Sequence, residues 1–183
     1  AAQTSTDAYN ARNEIKKVTD PDGHTISYAR NHLGKITQAN LPNGHQWTFD
    51  FDDNGNPIHA LSPETREIDI QYDDLQRVLL KTFSKDGQVE SSNTYTYDTA
   101  PEFGLGRLHV ADSEAGQATY EYEARGKVSR FDLTNSTTQN THTVSYLYND
   151  AGSTKRITYP DGAIFDYGYF PDGSPEKLYQ GSH

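Results

Sequence analysis

PNGHQWTFDFDDNGNPIHALSPET, residues 42–65, holds one full period of this chain. It opens on a Pro-Asn-Gly turn, alternates through Trp47-Thr48-Phe49-Asp50-Phe51, turns again by Gly55, and comes back to proline at Pro63. The step from Pro42 to Pro63 is 21 residues, as it is from Pro21 to Pro42. Tyr9, Arg30, Phe51 and Tyr72 keep the same spacing, and four residues beyond each stand Asn13, Gly34, Gly55 and Gln76. A fixed period over so many positions marks a repeat architecture. Function is therefore sought first in what an array of small β units can do.

The later units keep the pattern at longer steps. Tyr97-Asp98, Tyr122-Glu123, Tyr148-Asn149 and Tyr169-Phe170 follow at spacings of 25, 25, 26 and 21, making eight unit starts, the last incomplete. The extra length falls in two places: an insertion at Thr99-Ala100-Pro101-Glu102-Phe103-Gly104, and a polar stretch from Thr134 to Thr143 read as a long connection. Insertions that leave the flanking pattern intact belong in surface loops, where added length costs little closure entropy.

Within a unit the signals are those of a β-hairpin. The second half alternates strictly, as in Ile68-Asp69-Ile70-Gln71-Tyr72 and Val144-Ser145-Tyr146-Leu147-Tyr148, which puts apolar and polar residues on opposite faces. The first half carries apolar pairs three apart: Ile15/Val18, Ile58/Leu61, Leu80/Phe83 and Val128/Phe131. An odd spacing cannot stay on one face of a regular strand, so a recurrent bulge is expected. Pro-Asp-Gly, Pro-Asn-Gly and Lys85-Asp86-Gly87 supply the turns between halves. The fold class is all-β: up to sixteen short antiparallel strands in tandem hairpins, forming a strongly curved or spiralling sheet with its aromatics inward. A closed barrel or propeller-like grouping is the alternative. The expected organisation is an N-terminal tail at 1–8, one array at 9–179 and a tail at 180–183.

Composition sets further bounds. Only 33% of the 183 residues are hydrophobic, yet Tyr and Phe number 13 and 7, so burial must lean on aromatics. That aromatic content argues against disorder despite a mean hydropathy of -0.89. A net charge of -10 opposes nucleic-acid and anionic membrane partners. With no Cys, disulfides, zinc thiolates and thiol nucleophiles are excluded. No apolar run is long enough to span a membrane. The start at Ala1 without Met fits a processed product or excised fragment, and Gly181-Ser182-His183 reads as an appended remnant, kept out of site arguments.

Tyr-Asp, then Gly-Arg/Lys-Leu/Ile/Val, then Pro-Asp-Gly, then Tyr-x-Tyr resembles the YD repeats of Rhs proteins, which also occur in the shells of insecticidal Tc toxin complexes and in teneurins. Tyr72-Asp73-Asp74-Leu75-Gln76-Arg77-Val78 and Tyr148-Asn149-Asp150-Ala151-Gly152 carry it, as does Leu105-Gly106-Arg107-Leu108 after Tyr97-Asp98. The resemblance runs from Tyr9 to Tyr179. Departures are Arg30 in the aromatic slot, Asn13 and Gln76 in the glycine slot, and the insertions. It implies a sheet of hairpins that spirals into a hollow shell. Shells of that kind need many more repeats, and a C-terminal core with an aspartyl-protease-like motif that is not found here. Asp20-Pro21-Asp22-Gly23 is an ordinary repeat turn, so encapsulation and self-cleavage are not carried over.

Other constellations have plainer readings. Asp50-Phe51-Asp52-Asp53-Asn54-Gly55 opens like a calcium loop, but Leu61 stands where the bidentate Glu is needed. His24 and His45 follow turn glycines without a third ligand, and His32, His59, His109 and His142 show no ligand spacing, so no metal is expected. The carboxylates Asp52, Asp53, Asp73, Asp74, Asp98, Asp150 and Asp172 recur with the repeat, as turn devices do. No triad, nucleophile elbow or phosphate loop is present, and neither enzyme activity nor a cofactor is expected. A non-catalytic scaffold segment of a larger exported or surface-associated bacterial protein, joined to flanking domains, fits best. The alternative is a carbohydrate-binding module for a polysaccharide or surface glycan, with Trp47, Tyr95, Tyr120, Tyr146 and Tyr167 as candidate stacking residues. Trp47 itself is placed in the core in preference to a platform, as large aromatics at period two usually face the buried side.

Overall fold

The computed structural model describes residues 6–181; the tail positions at 1–5 and 182–183 lie outside the described residues. The chain forms two compact units, residues 1–92 and 93–183. The first holds β1 (Thr6–Tyr9), β2 (Ile15–Thr19), β3 (Thr25–Arg30), β4 (Ile36–Asn40), β5 (Gln46–Phe51), β6 (Pro57–Leu61), β7 (Arg66–Tyr72), β8 (Val78–Lys85) and the start of β9 (Gln88–Tyr97). The second continues from β9 with β10 (Leu108–Ser113), β11 (Gly116–Tyr122), β12 (Val128–Asn135), β13 (Thr141–Tyr148), β14 (Thr154–Thr158), β15 (Ile164–Tyr169) and β16 (Pro175–Gln180). All sixteen are antiparallel in chain order, and the described residues contain no helix.

One turn closes eleven of the fifteen connections between consecutive strands. In the first unit it begins at Asn10, Asp20, Asn31, Leu41, Asp52, Ser62 and Asp73, and in the second at Glu123, Asn149, Tyr159 and Phe170. Each opening residue donates its N–H to the carbonyl four residues on and accepts from the N–H three residues on, at 2.7–3.1 Å. The fourth residue has positive φ, from 58° at Thr65 to 85° at Gly23, which is why glycine recurs there. Asn13 and Gln76 take the same conformation at φ 60° and 64°, so the two departures in the glycine slot leave the turn unchanged. The opening side chain adds a further clamp. Oδ1 of Asp73 accepts from the N–H groups of Leu75 and Arg77 at 3.0 and 2.9 Å, and Oδ1 of Asp52 from those of Asn54 and Asn56 at 3.0 and 2.8 Å. Where an apolar residue opens the turn, the acceptor moves two residues on: Asn43 after Leu41, Asp161 after Tyr159 and Asp172 after Phe170.

The bulge recurs once per repeat, immediately beside the aromatic slot. Register shifts fall at Ala8/Tyr9, Ala29/Arg30, Asp50/Phe51 and Gln71/Tyr72 in the first unit. They recur at Leu108/Val110, Glu121/Tyr122, Leu147/Tyr148 and Gly168/Tyr169 in the second. Val128 opposes Tyr122 and Phe131 opposes Tyr120, so the bulge keeps this pair on one face, as it does Ile15 and Val18. Ile58/Leu61 and Leu80/Phe83 are different. Pro57 opposes Phe51 and Ala60 opposes Phe49, which leaves Ile58 as the bulged residue and puts Leu61 opposite Thr48. Leu80 opposes Gln71 on the polar face, whereas Phe83 opposes Ile68. The stretch from Thr134 to Thr143 is also less of a loop than its polarity implies, because Thr134 pairs with Thr141 and Leu133 with His142. Threonine suits a strand, and the hairpin simply runs on.

A second device ties several repeats to the one before. The Tyr72 hydroxyl donates to the Pro57 carbonyl at 2.9 Å, Tyr122 to Leu108 at 2.6 Å, Tyr148 to Val128 at 2.7 Å and Tyr169 to Thr154 at 2.8 Å. In each case the acceptor is the residue paired with the preceding repeat's aromatic. Arg30 does the same work, since its Nη2 reaches the Ile15 carbonyl at 3.4 Å. Phe51 has no hydroxyl for this contact. Lys127 and Arg107 add cation–π contacts, 5.1 Å above the Tyr148 ring and 5.5 Å above Tyr122.

Two expectations are overturned. The strands pair only with chain neighbours, and in neither unit does the last strand return to the first, so there is no closed barrel. Closure would need the last strand to pair with the first at a sheared register. No hydrophobic side chain among the described residues is buried, and the buried residues there are Ser62 and Ser84, apart from glycines. The aromatics therefore do not fill a core. A single layer offers no second layer to bury them against, and they lie half-covered by their neighbours along the sheet.

Two outcomes follow from the clamps. Burial raises the Tyr148 phenol above its ordinary 10.0, so the hydroxyl stays a donor well beyond neutral pH. Tyr148→Phe is expected to lower stability by about 1 kcal/mol in urea unfolding followed by circular dichroism. Tyr146→Phe should cost less than half of that. The Asn56 side chain holds Asp52, and the Arg77 backbone N–H holds Asp73, below the ordinary value of 3.8. Carboxyls depressed in this way stabilise the fold above the ordinary value and lose that contribution as pH falls through the folded value. Thermal unfolding should accordingly drop in temperature below about pH 4. Asp73→Asn, which keeps an acceptor oxygen, should flatten that drop.

Candidate functional site

The apolar face of the first unit carries Trp47, Phe49 and Phe51 along β5, and its depth comes from small neighbours. Ala39 pairs with Trp47 and Ala60 with Phe49, so the aromatic row stands above alanines on either side. The Trp47 and Phe49 rings are nearly parallel and stacked, with centroids 6.1 Å apart and 7° between planes. A groove of about 440 Å³ runs over Trp47, between the turn that opens at Leu41 and the one that opens at Ser62. Asn43, His45, Glu64 and Arg66 rim it, with Leu41 and Ile68 among its apolar lining. Trp47 is 38% exposed, which corrects its assignment to the core.

The four candidate tyrosines lie in the second unit and do not converge. Tyr95 opposes Ala111, Tyr120 opposes Phe131, Tyr146 opposes Ile157 and Tyr167 opposes Leu178. All are half-buried, and the Tyr120 and Phe131 rings meet at 5.2 Å, the geometry of a packing ladder. A different aromatic is open there. Tyr159 is 40% exposed and meets Phe165 edge-on at 5.7 Å, beside a cleft of about 680 Å³ shared with His142, Asp161 and Gln180. Reading the Tyr-x-Tyr alternation alone missed it, because Tyr159 opens a turn. Its signal was an aromatic directly before Pro160-Asp161-Gly162.

The carboxylates have other duties. Asp52, Asp73 and Asp172 are held in their own turns by backbone N–H groups, so the calcium-like run at Asp50 to Gly55 is a repeat turn. His24 is likewise tied to its turn, its Nδ1 being 2.9 Å from Oδ2 of Asp20. A flat aromatic surface with amide, carboxylate and guanidinium groups at its rim suits a ligand with one apolar face and hydroxyls at its edge.

Hairpins coupled one to the next by bulge, turn and tyrosine define a β-hairpin repeat protein. Residues 9–46 match the family described as RHS Repeat, which shows the resemblance read from the YD pattern over that stretch. Among solved structures, the crystal structure of TcdB2-TccC3 matches 97% of this chain and 10% of its own, with a TM-score of 0.81 at 12% identity. The Photorhabdus luminescens Tc holotoxin pore matches 95% of this chain and 12% of its own, with a TM-score of 0.67 at 11% identity. At such identity the likeness is one of fold, and this chain spans about a tenth of those lengths. No curated protein matches.

Removal of the indole tests how open this site is. Trp47→Ala is expected to cost under about 2 kcal/mol in urea unfolding followed by circular dichroism, against about 3–5 kcal/mol for a tryptophan in a packed core.

Proposed function

We propose that this chain is a non-catalytic scaffold segment of a larger bacterial protein, exported or displayed at the cell surface, with flanking domains as its partners. The observation that carries this reading is the strictly sequential sheet, in which each hairpin is fastened to the next and no hydrophobic side chain among the described residues is buried. Stability in such an array comes from units and their nearest neighbours, which suits an element extended by repetition. Its share of the longer chains it resembles points the same way. Nucleic acid has no part in this reading, because the charge of -10 repels phosphate. Among the described residues no helix is long and apolar enough to cross a membrane.

A second reading has its own support. The exposed Trp47 indole fits a carbohydrate-binding module, where a pyranose ring would stack its CH face on the indole while Asn43, Glu64 and Arg66 met the hydroxyls. Affinity electrophoresis through gels containing plant, bacterial and algal polysaccharides separates the two. The scaffold reading expects unchanged mobility across the panel. Retardation by one polymer, with matching quenching of Trp47 fluorescence and loss of both effects in a folded Trp47→Ala protein, would put the binding module first.

A further inference from the structure

The polar face of the first unit is mostly neutral, with Gln38, Thr48, Thr82 and Ser84 among its residues, but one charged constellation interrupts it. His59 on β6 sits between two carboxylates across the sheet, Asp50 of β5 on one side and Asp69 of β7 on the other. Glu67 lies two residues before Asp69 on the same strand, so its side chain leaves the same face. Nδ1 of His59 is 2.8 Å from Oδ1 of Asp69, and one ligand atom from each of His59, Glu67 and Asp69 lies within 4.8 Å of the others. All three residues are half-buried. The His59–Asp69 contact accounts for two of them. The Glu67 side chain is left beside a second carboxylate, with no hydrogen bond or ion pair of its own among the described residues.

We propose that His59, Glu67 and Asp69 form a binding site for a divalent transition-metal ion of the zinc class. A tetrahedral ion with bonds of about 2.0–2.2 Å needs ligand atoms about 3.4 Å apart, within reach of this set by small side-chain rotations. An imidazole nitrogen with two carboxylates selects zinc, cobalt or nickel over calcium or magnesium, which favour all-oxygen shells. Two carboxylates balance the charge of the ion, and the cation removes the repulsion between Glu67 and Asp69. Two adjacent strands in fixed register hold the ligands before the ion arrives. Water completes the shell. Spacing along the chain hid this site, because the ligands meet across strands. The exposed group Asp20, Asp22 and His24 differs: Asp20 already accepts from the N–H groups of Asp22 and His24 and from the His24 ring.

The site rests on neither functional reading above. Isothermal titration of the metal-stripped 183-residue chain with zinc chloride should show one equivalent bound. His59→Gln and Glu67→Gln should each weaken binding at least about tenfold, since even loss of an outer-shell partner costs about that much. Asp20→Asn should change nothing. Cobalt should give a visible absorption band in the parent protein that is absent from His59→Gln, with circular dichroism showing both to be folded. Absence of binding, binding indifferent to both Gln variants, or binding lost with Asp20→Asn would overturn the proposal.

Discussion

A single backbone constraint organises this protein: a four-residue turn whose last member must take positive φ and whose first is bonded to the chain on both sides. It serves at both ends of the strands. The Tyr-Asp end and the Pro-Asp-Gly end look like different motifs in sequence, yet Asp20 and Asn31 open identical turns. Strand length, hairpin direction and the side on which the next strand lies all follow from that geometry. The bulge beside each aromatic slot then adds one residue at a fixed place, so that the apolar face continues across a turn that would otherwise flip it.

The consequence for energetics is a fold without an interior. Half-covered aromatics, cross-strand pairs and clamps to backbone carbonyls replace the buried centre of a globular domain. Each contributes on the order of 1 kcal/mol or less, so stability must accumulate along the sheet. This also explains how a chain with 33% hydrophobic residues can be ordered. Long side chains lie along their neighbours on one layer, and polar groups on the other face pair across strands, as Arg156 does with Asp166 at 2.7 and 2.9 Å.

Most of the fold was legible from the chain because the repeat is local. Period, strand count, turn positions and the presence of bulges all live within a few residues of one another. Register does not. Ile58 and Leu80 looked like members of the apolar face because they are apolar, whereas Pro57 and Val78 hold those positions. Trp47 was misjudged for a related reason: alternation tells which face a residue joins, and coverage of that face depends on what lies above it. The metal-ligand cluster was out of reach for a third reason, since His59 and Asp69 are ten residues apart and opposed only by pairing.

The tyrosine contact gives the array a direction. Every phenol in these clamps points back to a carbonyl of the hairpin made before it, and none needs one that comes after. A ribosome delivers hairpins in that same order, so each new unit arrives to find its acceptor already in place. Such a sheet can be assembled strand by strand from its N-terminal side. Removal of the last repeat leaves only an unused carbonyl, which water readily solvates, while removal of the first strands a donor at the new beginning. The two ends of the array are chemically distinct, although the repeats between them are alike.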